Sequence, residues 1–136
     1  MNLTYQREKH ISSEEFIQVL KASTLSERRP VAELERIADM LKYGNLIITA
    51  RHNGKLVGIS RSMSDFAFAT YLSDLAVDIN YQKMGIGKEL IRLTQKEAPL
   101  TKIILLAAPA AVDYYPRIGM HRHNHCYFID SNDNII

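Results

Sequence analysis

"NYQKMGIGKEL", Asn80 to Leu90, places Gly85 and Gly87 one residue apart between Lys83 and Lys88. Glycine gives up more backbone freedom in regular structure than any other residue, so a pair of them needs a reason to stand there. The flanking residues supply one. Ahead of it, "TYLSDLAVDI" (70–79) reads as a strand. Behind it, Ile86, Leu90, Leu93 and Glu97 fall on one face of a helix that ends before Pro99. The almost wholly apolar "KIILLAA" (102–108) then reads as a strand covered on both faces. Strand, helix and strand from Tyr71 to Ala108 are expected to form a right-handed parallel crossover, with the glycines at the turn into its helix.

Upstream, "NLIITARHNGKLVGISRSM" (45–63) reads as a hairpin. Its strands lie near 46–52 and 55–62, and Asn53-Gly54 supplies the two positive-φ residues of the turn. Leu3 to Arg7 is the first strand candidate. Ser12 with Glu15 reads as a capping box opening a helix with Phe16, Val19 and Leu20 on one face. After the loop "STLSERR" (23–29), Pro30 suits the first turn of a second helix. Val31, Leu34, Ile37, Ala38 and Leu41 form its apolar stripe and Gly44 ends it. Downstream, a short helix is expected around Ala111–Ile118 and a last strand near His125–Asp130. The order β-α-α-β-β-β-α-β-α-β predicts an α/β (α+β) fold. Its sheet is mixed and mostly antiparallel around a parallel β-α-β core, with helices on both faces, in a single domain over 1–136.

At 136 residues, 46% apolar and 24% charged, the chain reads as an ordinary globular domain. A net charge of +2 is too small and too scattered for a duplex-binding surface, so nucleic acid is not the expected partner. No apolar run approaches the roughly 20 residues that cross a bilayer, and "MNLTYQREKH" has no signal-peptide character. One cysteine, Cys126, makes no internal disulfide, and the expected location is the cytoplasm.

Three phosphate-binding readings compete for the glycine loop. A dinucleotide fingerprint requires a third glycine where Leu90 stands. A P-loop requires glycine at Gln82 and Ser or Thr at Glu89. What remains is a loop whose backbone N–H groups, from about Lys83 to Lys88, converge at a helix N-terminus. Gly85 and Gly87 let that main chain approach an anion closely. The alternative is a glycine turn entering a helix with no ligand.

"LAVDINYQKMGIGKELI" (75–91) resembles the acyl-CoA-binding motif of the GNAT superfamily of N-acyltransferases, the match lying on Leu75, Val77, Gln82, Gly85 and Gly87. "AAVDYYPRIGM" (110–120) resembles that family's later segment, with Tyr114, Tyr115, Gly119 and Met120 in the aromatic, Tyr, Gly and Met places. The element order matches over nearly the whole chain.

The resemblance implies that acetyl-CoA lies in a wedge where the strands of 71–79 and 102–108 splay apart. Its diphosphate would rest on the amides of Met84, Gly85, Ile86, Gly87 and Lys88, with Gln82 and Lys83 beside them. Its pantetheine arm would pair like an added strand with Leu75, Ala76 and Val77. The acceptor is a small-molecule amine or the lysine or N-terminal amine of a peptide. The amine attacks the thioester directly, so it must first lose a proton from a pKa near 10.4. Asp74 is the candidate base, directly or through water, with a histidine of 121–125 as an alternative. The resemblance gives the oxyanion to the backbone N–H of Val77 or a close neighbour, and makes Tyr115 the candidate proton donor to the leaving thiolate.

"HRHNHC" (121–126) invites a metal reading, but no second cluster completes a four-ligand site, and no metal is expected. "AAPA" (107–110) replaces the asparagine the family often carries there. The short stretch after Met120 implies an abbreviated final hairpin and a pocket left open or completed by another chain, as in a homodimer. Glu27 suits a cationic acceptor, while Arg28 and Arg29 suit an acidic one or the adenosine 3′-phosphate. A noncatalytic acyl-CoA-binding sensor of the same fold is the rival function.

Overall fold

The computed structural model describes residues 2–136. They form two units, one extending to Leu106 and one from Ala107 to Ile136. The first holds five strands, β1 (Leu3–Arg7), β2 (Leu46–His52), β3 (Lys55–Ser64), β4 (Ala69–Val77) and β5 (Lys102–Ile104). They lie side by side in chain order. The first four are antiparallel and β5 joins β4 in parallel. Helices α1 (Ser13–Ala22), α2 (Leu34–Tyr43) and α3 (Ile86–Glu97) cover the two faces.

Alternation along the strands divides the core. Ile47, Leu56, Ile59 and Ala76 meet Phe16, Val19 and Leu20 of α1 and Ile37 and Leu41 of α2. Leu46, Ile48, Ala50 and Val57 meet Ile86 and Leu90 of α3 on the other face. A bulge makes the second layer possible. The register steps from Ala50↔Gly58 to Arg51↔Leu56, leaving Val57 as the extra residue, and Val57 joins Gly58 on the α3 side. A Cβ at Gly58 would stand 2.9 Å from Ile86 Cγ2 and 3.3 Å from Leu90 Cδ1, so glycine there is what lets α3 seat.

The N-cap of α1 is as expected, with Ser12 Oγ accepting from the Glu15 N–H at 3.1 Å. Four expectations need correction. Pro30 does not open α2. The Glu33 N–H donates to the Pro30 carbonyl at 3.0 Å, closing a turn, and the helix starts at Leu34. The apolar stripe is narrower, because Leu34 and Ala38 are exposed. "KIILLAA" is not a strand covered on both faces. It pairs over three residues, ending at Tyr71↔Ile104, and Ile104 and Leu106 are 44% and 55% exposed. Finally, the strand expected at His125–Asp130 is absent. That segment has apolar residues but no ladder partner, and an unpaired strand is not stable in water.

The second unit contains a single turn of 3₁₀ helix, Pro109–Ala111, and α4 (Tyr114–Arg117), which is shorter than expected. The Gly119 and Met120 N–H groups donate back to the Pro116 and Tyr115 carbonyls at 3.1 Å each, with Gly119 at φ +98°.

Candidate functional site

The site begins where β4 and β5 part. β5 accompanies β4 only as far as Tyr71, so Leu72 to Val77 have no strand on that side within the first unit. Which main-chain groups face the gap follows from alternation. The Asp78 N–H donates to the Val57 carbonyl of β3 at 2.8 Å. The N–H and C=O of Val77 therefore point the other way, to the free edge, as do those of Leu75. The Gln82 side-chain amide meets the Val77 carbonyl from that edge at 3.0 Å. Leu75 and Val77 are half-buried toward α3, and Ala76 is buried on the opposite face.

After β4 the chain is pinned before it turns. Asp78 Oδ1 accepts from the Asn80 N–H at 2.9 Å, shaping one 3₁₀ turn over Ile79–Tyr81. The Tyr81 hydroxyl lies 2.8 Å from His52 Nδ1 and the rings pack edge to face. Then Lys83 at φ +64° and Gly85 at φ +81° both take left-handed backbone. For a lysine that conformation costs about 1–2 kcal/mol, which the surrounding contacts must offset. Gly85 is the N-cap of α3, and the first helical bond runs from the Glu89 N–H to the Gly85 carbonyl at 3.0 Å. The preceding N–H groups, from Ile86 to Lys88, are the orphan donors of the first turn. They carry the positive end of a 12-residue helix. Lys83, Met84 and Lys88 are exposed around them. Donors so arranged could hold an anion such as a diphosphate.

Asp74 is not where a general base should be. Its carboxylate is fully buried, and both oxygens are taken, one by Arg29 Nε and the other by Arg61 Nε. Arg29 is correspondingly withdrawn as a free ligand for an acidic acceptor or a 3′-phosphate. Arg61 was illegible as a partner, although a lone cation in the small and apolar run "GISRSM" was a signal for a buried carboxylate. Glycine 58 and the His52–Tyr81 contact were also missed.

In the second unit, Tyr114 and Tyr115 pack edge to face with centroids 5.2 Å apart. Burial raises the Tyr115 hydroxyl above its ordinary range, with the neighbouring Tyr114 adding to it. Such a phenol stays protonated, as a proton donor must. The His123 and His125 rings contact each other, and the His125 N–H donates to His123 Nδ1 at 2.9 Å. Among the described residues no group of three or more His, Cys, Asp or Glu gathers as a metal site would require. A cavity of about 260 Å³ lined by Arg7, Glu8, Lys42 and Asn45 opens at the other end of the sheet, where β2 begins. β2 and β3 lie between Arg7 and β4.

Residues 6–129 match the family model described as an acetyltransferase (GNAT) domain. An uncharacterized N-acetyltransferase, ycf52, of Pyropia yezoensis is 32% identical over 93 residues, covering 63% of this chain and 53% of that protein. The chloroplastic GCN5-related N-acetyltransferase 2 of Arabidopsis thaliana is 37% identical over 70 residues, covering 48% of this chain and 26% of that one. The chain thus spans about half, or less, of the length of these curated relatives. A Staphylococcus aureus structure described as a probable acetyltransferase superposes with a TM-score of 0.78 at 15% identity, over 95% of this chain and 99% of that one.

Proposed function

This chain belongs to the GNAT acetyltransferase domain family, and from that premise we propose that it transfers an acetyl group from acetyl-CoA to a primary amine. The observation that carries the reading is the pairing of two features on one strand. β4 has a free edge from Leu72 to Val77, and it leads directly into the orphan amides of α3. A thioester joined to a diphosphate through an amide-bearing arm matches that sequence of donors and acceptors.

Acetyl-CoA supplies the activated acyl group. The amides of Met84 to Lys88 hold the diphosphate, with Lys83 and Lys88 adding screened attraction. Leu75 offers edge-facing N–H and C=O groups to the arm. The Val77 carbonyl already accepts from Gln82, and the Val77 N–H donates to the oxyanion that develops at the thioester carbonyl. The family motif matched by Tyr114 and Tyr115 gives protonation of the departing thiolate to Tyr115. Because Asp74 is locked between two guanidiniums, removal of the ammonium proton is assigned to water at the free edge. The match over 6–129 runs through both units, which supports treating them as one functional domain.

The test has two stages. Calorimetric titration with acetyl-CoA is expected to show one site, and free CoA is expected on incubation with a panel of polyamines, aminoglycosides, amino acids and lysine peptides. Binding without release for any amine would favour the sensor reading, and no binding would end the proposal. Tyr115→Phe is expected to lower kcat by about a hundredfold or more while leaving the acetyl-CoA affinity little changed. Unaltered turnover removes Tyr115 from the reaction.

A further inference from the structure

We infer that Arg29 is a positioning residue for acyl transfer, holding the β4 bulge at Ser73–Asp74 and through it the free edge at Leu75–Val77. The inference rests on the acetyl-CoA reading of that edge. The β3–β4 register passes from Arg61↔Asp74 to Ser62↔Leu72, so Ser73 is an extra residue without a partner in β3. A bulge leaves that residue out of the ladder, and its carbonyl has to be satisfied elsewhere. Arg29 Nη2 does so, at 2.7 Å from the Ser73 oxygen, while its Nε takes one oxygen of Asp74.

Arg61 completes the arrangement from the neighbouring strand. Its Nε takes the other Asp74 oxygen, and Nη2 donates to Ser73 Oγ at 3.1 Å. Two guanidiniums against one carboxylate leave a surplus positive charge. Arg61 Nη1 lies 3.0 Å from the Met40 carbonyl, in the last turn of α2, where the helix dipole favours a cation. The four polar groups are thus mutually satisfied, as a buried ionic cluster requires.

Arg29 comes from the connection between α1 and α2, 45 residues before Asp74. Its backbone is extended, at φ −138° and ψ 150°. Pro30 accounts for this, because the residue before proline is disfavoured in the α region, so the 3₁₀ turn of Leu25–Arg28 stops there. A bulge fixes phase as well as shape. A one-residue slip of β4 beyond Asp74 would exchange Ala76 with Leu75 and Val77 between the two core layers and reverse which N–H groups face the edge. Arg29 thereby fixes the donors at the thioester from a loop that contributes no atom to them.

The test compares Arg29→Gln and Arg29→Lys with Arg51→Gln, which breaks another pair of ion pairs, to Glu8 and Glu15, away from β4. Arg29→Gln is expected to weaken acetyl-CoA binding about tenfold, the loss of a charge-assisted bond, and to speed amide exchange at Ala76 and Asp78. Arg29→Lys, which keeps charge but not the fork, should fall between. Arg51→Gln should match the wild type in affinity. Wild-type affinity and exchange in Arg29→Gln overturn the inference, and so does equal weakening by Arg51→Gln. Should Arg29→Gln not fold, Arg29→Lys carries the test, and wild-type exchange at Ala76 overturns it. If the unmutated protein does not bind acetyl-CoA, the functional reading fails by itself. The exchange measurement then decides the role of Arg29 alone.

Discussion

The free edge of β4 is held at its two ends by opposite means. At Ser73–Asp74 the hold is made by side chains, two guanidiniums around one buried carboxylate, drawn from distant parts of the chain. At Lys83–Lys88 it is made by main chain, two left-handed residues and the first turn of α3. The first uses charge to fix a strand and has none left to offer. The second fixes itself by dihedral angles and leaves its donors unspent. A site for a charged ligand belongs at the end whose polar groups are not already satisfied.

The largest effect should come from breaking the side-chain end. Asp74→Asn leaves the Arg61 guanidinium buried without its counter-charge, and the expected loss of stability is about 3–5 kcal/mol by chemical denaturation. A variant as stable as the parent would show that the cluster is not what holds the bulge. Next comes the seat of α3, which serves the main-chain end without touching its loop. Gly58→Ala pushes a methyl against Ile86 and Leu90, and is expected to cost about 1–3 kcal/mol in thermal unfolding. A neutral Gly58→Ala would mean that α3 is free to retreat, and that the amides at its start are not rigidly placed.

The same contrast explains what could be read from the sequence. The glycine loop was legible because its logic is local: spacing, a strand before it and an amphipathic helix after it all lie within a few residues. For the same reason β1, the hairpin and α1 stand within a residue or two of their expected places. The ion cluster was not legible, since its three members lie at 29, 61 and 74 and nothing in any one stretch joins them. Asp74 read as a candidate base because alternation does not say what lies across from it. The strand expected at His125–Asp130 failed likewise, for strand propensity was legible and the partner it required was not. Gly58 hid inside a strand, where a glycine signals close approach but not of what.

The smallest effect, and the sharpest test of the comparison, is at Gly85. A Cβ built there meets no atom within 4 Å, so the fold has room for a side chain, and the demand is on φ alone, at +81°. Gly85→Ala should therefore lose about 1–2 kcal/mol, the penalty of a left-handed alanine. Gly85→Asn should lose less, because asparagine enters that region more readily. Binding separates from stability at the same position. Close main-chain approach to a diphosphate leaves no space for either side chain, so both variants are expected to lose acetyl-CoA affinity while only Ala loses much stability. If Asn restores binding along with stability, the glycine answers to the turn and not to the ligand. The main-chain end would then be held in the same sense as the side-chain end, for the fold alone.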